Sequence, residues 1–118
     1  MEILGLVFAG SATAERAAMA AFVESTLGLR RAPDHDPADS DIFELPDGSR
    51  FGVADEREPG GGTSRTIGFL VADLDAAVAE LQAAGVETEE PAETDRQRYA
   101  HFHAPDGRLY ELVQELPC

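Results

Sequence analysis

The chain carries a single cysteine, Cys118, among its 118 residues. That excludes an intrachain disulfide and makes a reducing, cytoplasmic compartment the expectation. Positive charge is scarce too: nine Lys and Arg face 23 Asp and Glu, a formal net charge of -14. Such a surface repels a phosphate backbone, so no nucleic-acid partner is expected. Long hydrophobic runs are also missing. The apolar stretch Ile3 to Phe8 is far shorter than the ~20 residues of a bilayer-crossing helix, so it reads as a buried strand and no membrane partner is expected. What remains is ordinary for a globular chain: 43% hydrophobic and 27% charged residues, enough to build one core at this length without a metal or disulfide scaffold.

Internal repetition carries the most information. Phe43-Glu44-Leu45-Pro46-Asp47-Gly48-Ser49-Arg50-Phe51 and Phe102-His103-Ala104-Pro105-Asp106-Gly107-Arg108-Leu109-Tyr110 share one pattern, an aromatic residue on each side of Pro-Asp-Gly, offset by 59 residues. Pro presets φ and Gly accepts a positive φ, so each copy is expected to be a β-hairpin. Upstream of each hairpin lies a helical pattern. Ser11 is placed to cap a helix over Ala12 to Leu27 that stops at Gly28, and Asp73 to cap one over Leu74 to Ala84 that stops at Gly85. Ala77, Val78 and Leu81 fall on the inner face of the second helix. A strand precedes each helix, Ile3 to Phe8 and Thr66 to Val71, and another opens after Gly28 and after Gly85. The order β, α, β, β, β occurs twice. It predicts an α+β domain spanning residues 1–118, with one repeat over about 1–55, a Pro/Gly-rich linker at 56–64, and a second repeat over about 65–118. The Pro- and Asp-rich loop Pro33 to Ser40 is expected to be a mobile rim, and the polar segment Thr94 to Arg98 to be either a lid over the pocket or a solvated loop.

These elements resemble the vicinal oxygen chelate superfamily, which unites glyoxalases, bleomycin resistance proteins and extradiol dioxygenases. The resemblance rests on Thr66-Ile67-Gly68-Phe69-Leu70-Val71-Ala72-Asp73-Leu74, Ala84-Gly85-Val86 and His103 to Leu112, with Leu27-Gly28-Leu29 and Pro46-Asp47-Gly48 as fainter counterparts in the first half. It implies two βαβββ repeats forming a curled mixed sheet around a pocket, helices on the convex side, and a homodimer. It also implies metal-ligand positions at Gly5, Gly52, Thr66 and Glu111. Of these only Glu111 is a credible donor, since glycine has no side chain and a threonine hydroxyl is weak. No cofactor is therefore expected, and a divalent metal is disfavoured. By resemblance the leading reading is a small-molecule-binding protein, drug sequestration included.

Alternation along strands predicts the pocket face. Leu109 and Val113 share the parity of Glu111. The resemblance adds Tyr99, His101 and His103 from the preceding strand, Thr66, Gly68 and Leu70 from the strand before the helix, and Val7 and Arg50 from the first copy, Arg50 as a potential partner of Glu111. Ala100 and Phe102 are left for the helix side. Tyr110 opposes Glu111 in parity and reads as a core aromatic. His101 or His103 beside Glu111 has the chemistry for proton transfer, so a small lyase, isomerase or dioxygenase-like enzyme is the alternative to a binder.

Overall fold

The computed structural model describes residues 1–117; Cys118, on which the disulfide argument turns, lies outside the described residues. The chain forms two compact units, one of residues 8–65 and one of residues 66 onward together with residues 1–7. Strand β1 (Gly5–Thr13) runs through that boundary.

The unit of residues 8–65 holds β1 from Phe8, helix α1 (Arg16–Ala21) continued by a π-helical turn (Phe22–Thr26), and strands β2 (Arg30–Arg31), β3 (Asp41–Glu44) and β4 (Arg50–Asp55). Its strands lie in the order β2-β3-β4-β1, with β1 and β4 parallel and the rest antiparallel. Ala20 and Val23 of the helical segment pack on Phe43 and Val53, with Met19, Leu29 and Phe51 around them.

The other unit repeats the plan: β5 (Ser64–Leu70, whose first two residues lie in the first unit), α2 (Leu74–Ala83), β6 (Ala92–Glu93), β7 (Gln97–His103) and β8 (Leu109–Glu115). Its order is β6-β7-β8-β5, with β5 and β8 parallel. Leu74, Ala77 and Val78 pack on Val71, Ala100 and Leu112, with Phe69, Leu81 and Phe102 at the margin. Residues 1–7 join here through the Leu4 amide, which donates to the Leu70 carbonyl at 2.8 Å. The predicted α+β pair of βαβββ units is what the chain adopts, with each helix on one face of its unit's mixed sheet.

The two Pro-Asp-Gly hairpins are built alike. Leu45 N donates to Ser49 O at 2.9 Å and Ala104 N to Arg108 O at 3.0 Å. The Asp side chain of each turn accepts the amide two residues on, Asp47 from Ser49 at 2.9 Å and Asp106 from Arg108 at 3.0 Å. Gly48 and Gly107 sit at φ +86° and +80°, where a Cβ would be strained.

The second helix starts as the sequence predicts, with Asp73 accepting from Ala76 N at 3.1 Å. The first does not. Ser11 is buried inside β1, which pairs with β4 as far as Thr13 opposite Asp55. The helix begins only at Arg16, with Thr13 Oγ1 taking the Glu15 amide at 3.1 Å. A cap is worth about 1 kcal/mol, whereas seating one core side chain is worth about 1.5–3 kcal/mol. Extending β1 along β4 fixes Val53 in the core, so strand pairing wins.

The segment Thr94 to Arg98 is a tight, largely exposed connection into β7. Thr94 Oγ1 accepts the amides of Arg96 and Gln97, and Arg98 pairs with Asp75 and Glu93. The loop Pro33 to Ser40 is tied down by Arg50 to Asp34 at 2.9 Å and by Arg16 to the Pro37 carbonyl at 2.6 Å.

Candidate functional site

The face of β8 turned away from α2 carries Leu109, Glu111 and Val113, because Leu112 belongs to the helix-side core and alternation sends its neighbours the other way. Register then sets the companions. On β7, His103, Tyr99 and His101 stand opposite Leu109, Val113 and Glu111 respectively. On β5, Gly68 stands opposite Glu111 and Leu70 opposite Val113. Thr66 lies two residues before Gly68 on the same face. Ala100 and Phe102 pack with the helix-side core. Tyr110 stacks on Phe102 and Phe69, its hydroxyl donating to Asp106 at 2.6 Å.

Glu111 is the chemical centre of this face. It is 7% exposed, and a buried carboxylate needs a partner. His101 Nε2 supplies one at 3.1 Å from Glu111 Oε2. Beyond the imidazole stands a second acid: His101 Nδ1 is 3.7 Å from Glu89 Oε1, and His103 Nε2 is 3.7 Å from Glu89 Oε2. The Tyr99 ring meets His101 edge-on at 5.9 Å between centroids. Burial, with the nearby charge of Glu111, raises the Tyr99 phenol above its ordinary value and keeps it a neutral donor at pH 7.

Glu89 is the residue that sequence reasoning missed. The segment after Gly85 was read as a strand but its outcome is subtler. Regular pairing is confined to Ala92–Glu93, while Glu89 N donates to His101 O at 2.9 Å and His103 N to Glu87 O at 3.0 Å around a bridge between Thr88 and Phe102. That register puts Glu89 beside His101. The alternation Glu87-Thr88-Glu89 was the signal available.

Two further sequence-predicted residues come from the first copy. Arg50 opens β4, and its guanidinium is held by Asp34 at 2.9 Å; the partner of Glu111 is His101, one strand away in its own unit. Val7 lies in β1, half-buried, within residues 1–7.

The first copy shows what the same positions become without polar residues. Gly10 pairs with Gly52 as Gly68 pairs with Glu111, and Ile42 pairs with Gly52 as His101 pairs with Glu111. The counterpart of Thr66 is therefore Phe8, not Gly5. A Cβ on Gly52 would lie 2.9 Å from Phe8 Cζ and 3.0 Å from Ile42 Cδ1, so the ring covers the place where the second copy has its acid. The metal-ligand positions implied by the resemblance thus offer an aromatic ring, a glycine, a threonine and one acid already paired to histidine. They do not fit a transition metal.

Two βαβββ units with a buried acid in the last strand define a protein of the vicinal oxygen chelate class. The chain belongs to the Glyoxalase/Bleomycin resistance protein/Dioxygenase superfamily, whose family model matches residues 2–112. Among solved structures it is similar to methylmalonyl-CoA epimerase from Mycobacterium tuberculosis, with 20% identity and a TM-score of 0.75 over 98% of this chain and 90% of that one. A hypothetical protein from Bacillus halodurans C-125 gives 18% identity and a TM-score of 0.74, covering 97% and 96%. The Mn(II)-bound glyoxalase from Novosphingobium aromaticivorans gives 20% and 0.70, covering 95% of this chain and 39% of that one. At these identities the likeness is one of fold. No curated protein sequence matches the chain.

Proposed function

We propose that this chain is a cytoplasmic small-molecule-binding protein that receives an organic ligand on the β5–β8–β7 face, with a cationic or hydrogen-bond-donating group of the ligand seated on Glu111. One observation carries the reading: a single buried acid, held by His101, stands on a face that also carries Leu109, Val113, Leu70 and Gly68, with Thr66, Tyr99 and His103 beside them. Apolar side chains with a small number of placed polar groups are how small-molecule sites orient a ligand. A carboxylate has about four acceptor positions and His101 occupies one. Drug sequestration is one form such binding takes, and it needs no metal at the family positions, whose occupants do not suit one.

The test is a thermal-shift screen of aromatic amines and other cationic compounds against the full chain. The reading expects hits whose stabilisation is lost in Glu111→Gln. Hits that stabilise Glu111→Gln equally overturn it.

A second reading has an observation of its own. His101 lies between two carboxylates, Glu111 and Glu89, an arrangement that supports proton transfer by the imidazole. It expects exchange of an acidic C–H of a bound ligand with deuterated solvent, abolished in His101→Ala; binding without exchange leaves the first reading in place. We propose also that the chain is a homodimer, because Ile3, Leu4 and Leu6 are 46%, 51% and 64% exposed along one short segment. Light scattering of the purified chain decides this, and a monomer at high micromolar concentration contradicts it.

A further inference from the structure

We infer that the helix side of the unit of residues 8–65 holds a site for a phosphoryl group, received by Arg16 and Arg31, with alanines of the first helical segment against the body that carries it. Register sets the face. Phe43 and Val53 lie in the helix-side core, so Asp41, two residues before Phe43, and Asp55, two after Val53, point the same way. Arg31 pairs with Phe43 and joins them, its guanidinium 5.0 Å over the Phe43 ring. Arg16 comes from the start of α1 and Glu24 from the π-helical turn. Ala14, Ala17, Ala20 and Ala21 supply the apolar part of the lining. Of these, Ala20 belongs to the core cluster; the other methyls are too short to fill the space, and a cavity of about 640 Å³ remains. Small-molecule sites run to about 300–1,000 Å³.

The two guanidiniums are fixed but not exhausted. Arg16 Nε and Arg31 Nη1 bond opposite oxygens of Asp41 at 3.0 and 2.7 Å, and the Asp41 side chain is only 12% exposed. One buried carboxylate therefore holds both forks at a set spacing. Arg16 also bonds Asp55 through Nη1 and the Pro37 carbonyl through Nη2, and Arg31 Nε bonds Glu24. Arg31 Nη2 donates to no group among the described residues, and each Arg16 Nη carries a second N–H beyond its one bond. Planar, weakly hydrated forks with N–H bonds to spare are the groups that hold phosphate oxygens. The outer partners are exchangeable. Glu24 and Asp55 have side chains 46% and 73% exposed, and ion pairs so open to solvent are worth little. A phosphoryl group brings more charge and more acceptor oxygens than either carboxylate, so it takes their place on the forks while Asp41 stays. An aryl or other apolar body then lies on Ala17 and Ala21.

The site involves neither Glu111 nor His101 and goes beyond the reading proposed above, so its test is independent of that reading. The full chain is titrated with inorganic phosphate and with phenyl phosphate at pH 7.5 and physiological salt, followed by calorimetry. A net charge of -14 repels stray anions, so saturable binding reports a local site. The expected result is one phosphoryl group per chain, with phenyl phosphate the tighter of the two. Arg31→Gln weakens both by roughly tenfold or more. Ala21→Leu fills the cavity without touching an ion pair and weakens phenyl phosphate by a similar factor. Glu24→Gln tightens both, by roughly threefold or more, because it removes the competing carboxylate. Glu2→Gln, an equal change of charge at an exposed position outside this unit, leaves both unchanged. Absence of saturable binding to the parent chain overturns the inference. Binding that Ala21→Leu leaves intact, or that Glu24→Gln fails to tighten, overturns it as well, since the phosphoryl group then sits elsewhere.

Discussion

His101 and Glu111 face one another across β7 and β8 with Nε2 and Oε2 3.1 Å apart, and the acid is the more deeply buried of the two. That imbalance sets the cost of breaking the pair. His101→Ala strands a buried carboxylate, so it destabilises the chain by about 1–3 kcal/mol. His103→Ala touches a more exposed ring and costs no more than about 0.5 kcal/mol. Urea denaturation of the two variants side by side measures the difference, and equal losses contradict the pairing.

The first copy supplies a prediction through its missing side chain. Gly52→Ala drives a methyl into Phe8 Cζ and Ile42 Cδ1, which costs about 1–3 kcal/mol as overpacking. Shortening the neighbour relieves it, so Phe8→Ala with Gly52→Ala loses less stability than the two single changes added together. A double-mutant cycle by chemical denaturation gives the coupling; strict additivity contradicts the packing.

Asp41 is the main ionic anchor of the unit of residues 8–65. Arg31 Nη1 and Arg16 Nε reach its two oxygens at 2.7 and 3.0 Å. Burial works against its ionisation, but hydrogen bonds from Arg31 and then Arg16 outweigh that and hold its carboxyl below the ordinary value of 3.8. A depressed folded value means that the stabilisation is present in full above the unfolded value and disappears as pH falls through the folded one. Asp41→Asn therefore lowers stability at pH 7, by roughly 1 kcal/mol given that Arg31 is partly exposed, and flattens the loss of stability below about pH 4. Parallel melting curves from pH 2 to 7 test this; an unchanged acid limb contradicts it.

The two helix starts differ in a way that capping variants expose. Asp73→Ala removes the acceptor of the Ala76 amide and costs about 1 kcal/mol, read as lost stability and lower helical circular dichroism. Ser11→Ala leaves the helical signal unchanged, because Ser11 is a strand residue opposite Val53.

That contrast marks what was legible in the sequence. The hairpins could be read because Pro-Asp-Gly specifies its own backbone locally, and α2 because Asp73 and the apolar stripe of Ala77 and Val78 agree with each other. The start of α1 could not be read, since a local cap signal at Ser11 competed with a long-range pairing to β4 that no local pattern encodes. The placement of Glu111 and Val113 on one face followed from period-two alternation, which is a property of any strand, whereas Tyr99 and His101 were matched to that face only through the family resemblance. Glu89 was missed because the edge beside β7 is bridged rather than regularly paired, so its register is set by contacts with His101 and His103. Arg50 was paired with Glu111 across the copies with no local pattern to guide it, and Asp34, nearer in sequence, holds it.

The central claim is that Glu111, steadied by His101, is the group to which a ligand is fixed. Its most direct test is the equilibrium dissociation constant of the strongest cationic hit from the thermal-shift screen, measured by calorimetry for the parent chain and for Glu111→Gln. Loss of a charge-assisted hydrogen bond worth about 1.5–3 kcal/mol predicts roughly a tenfold to hundredfold weaker affinity. Equal affinities in the two proteins would contradict the account.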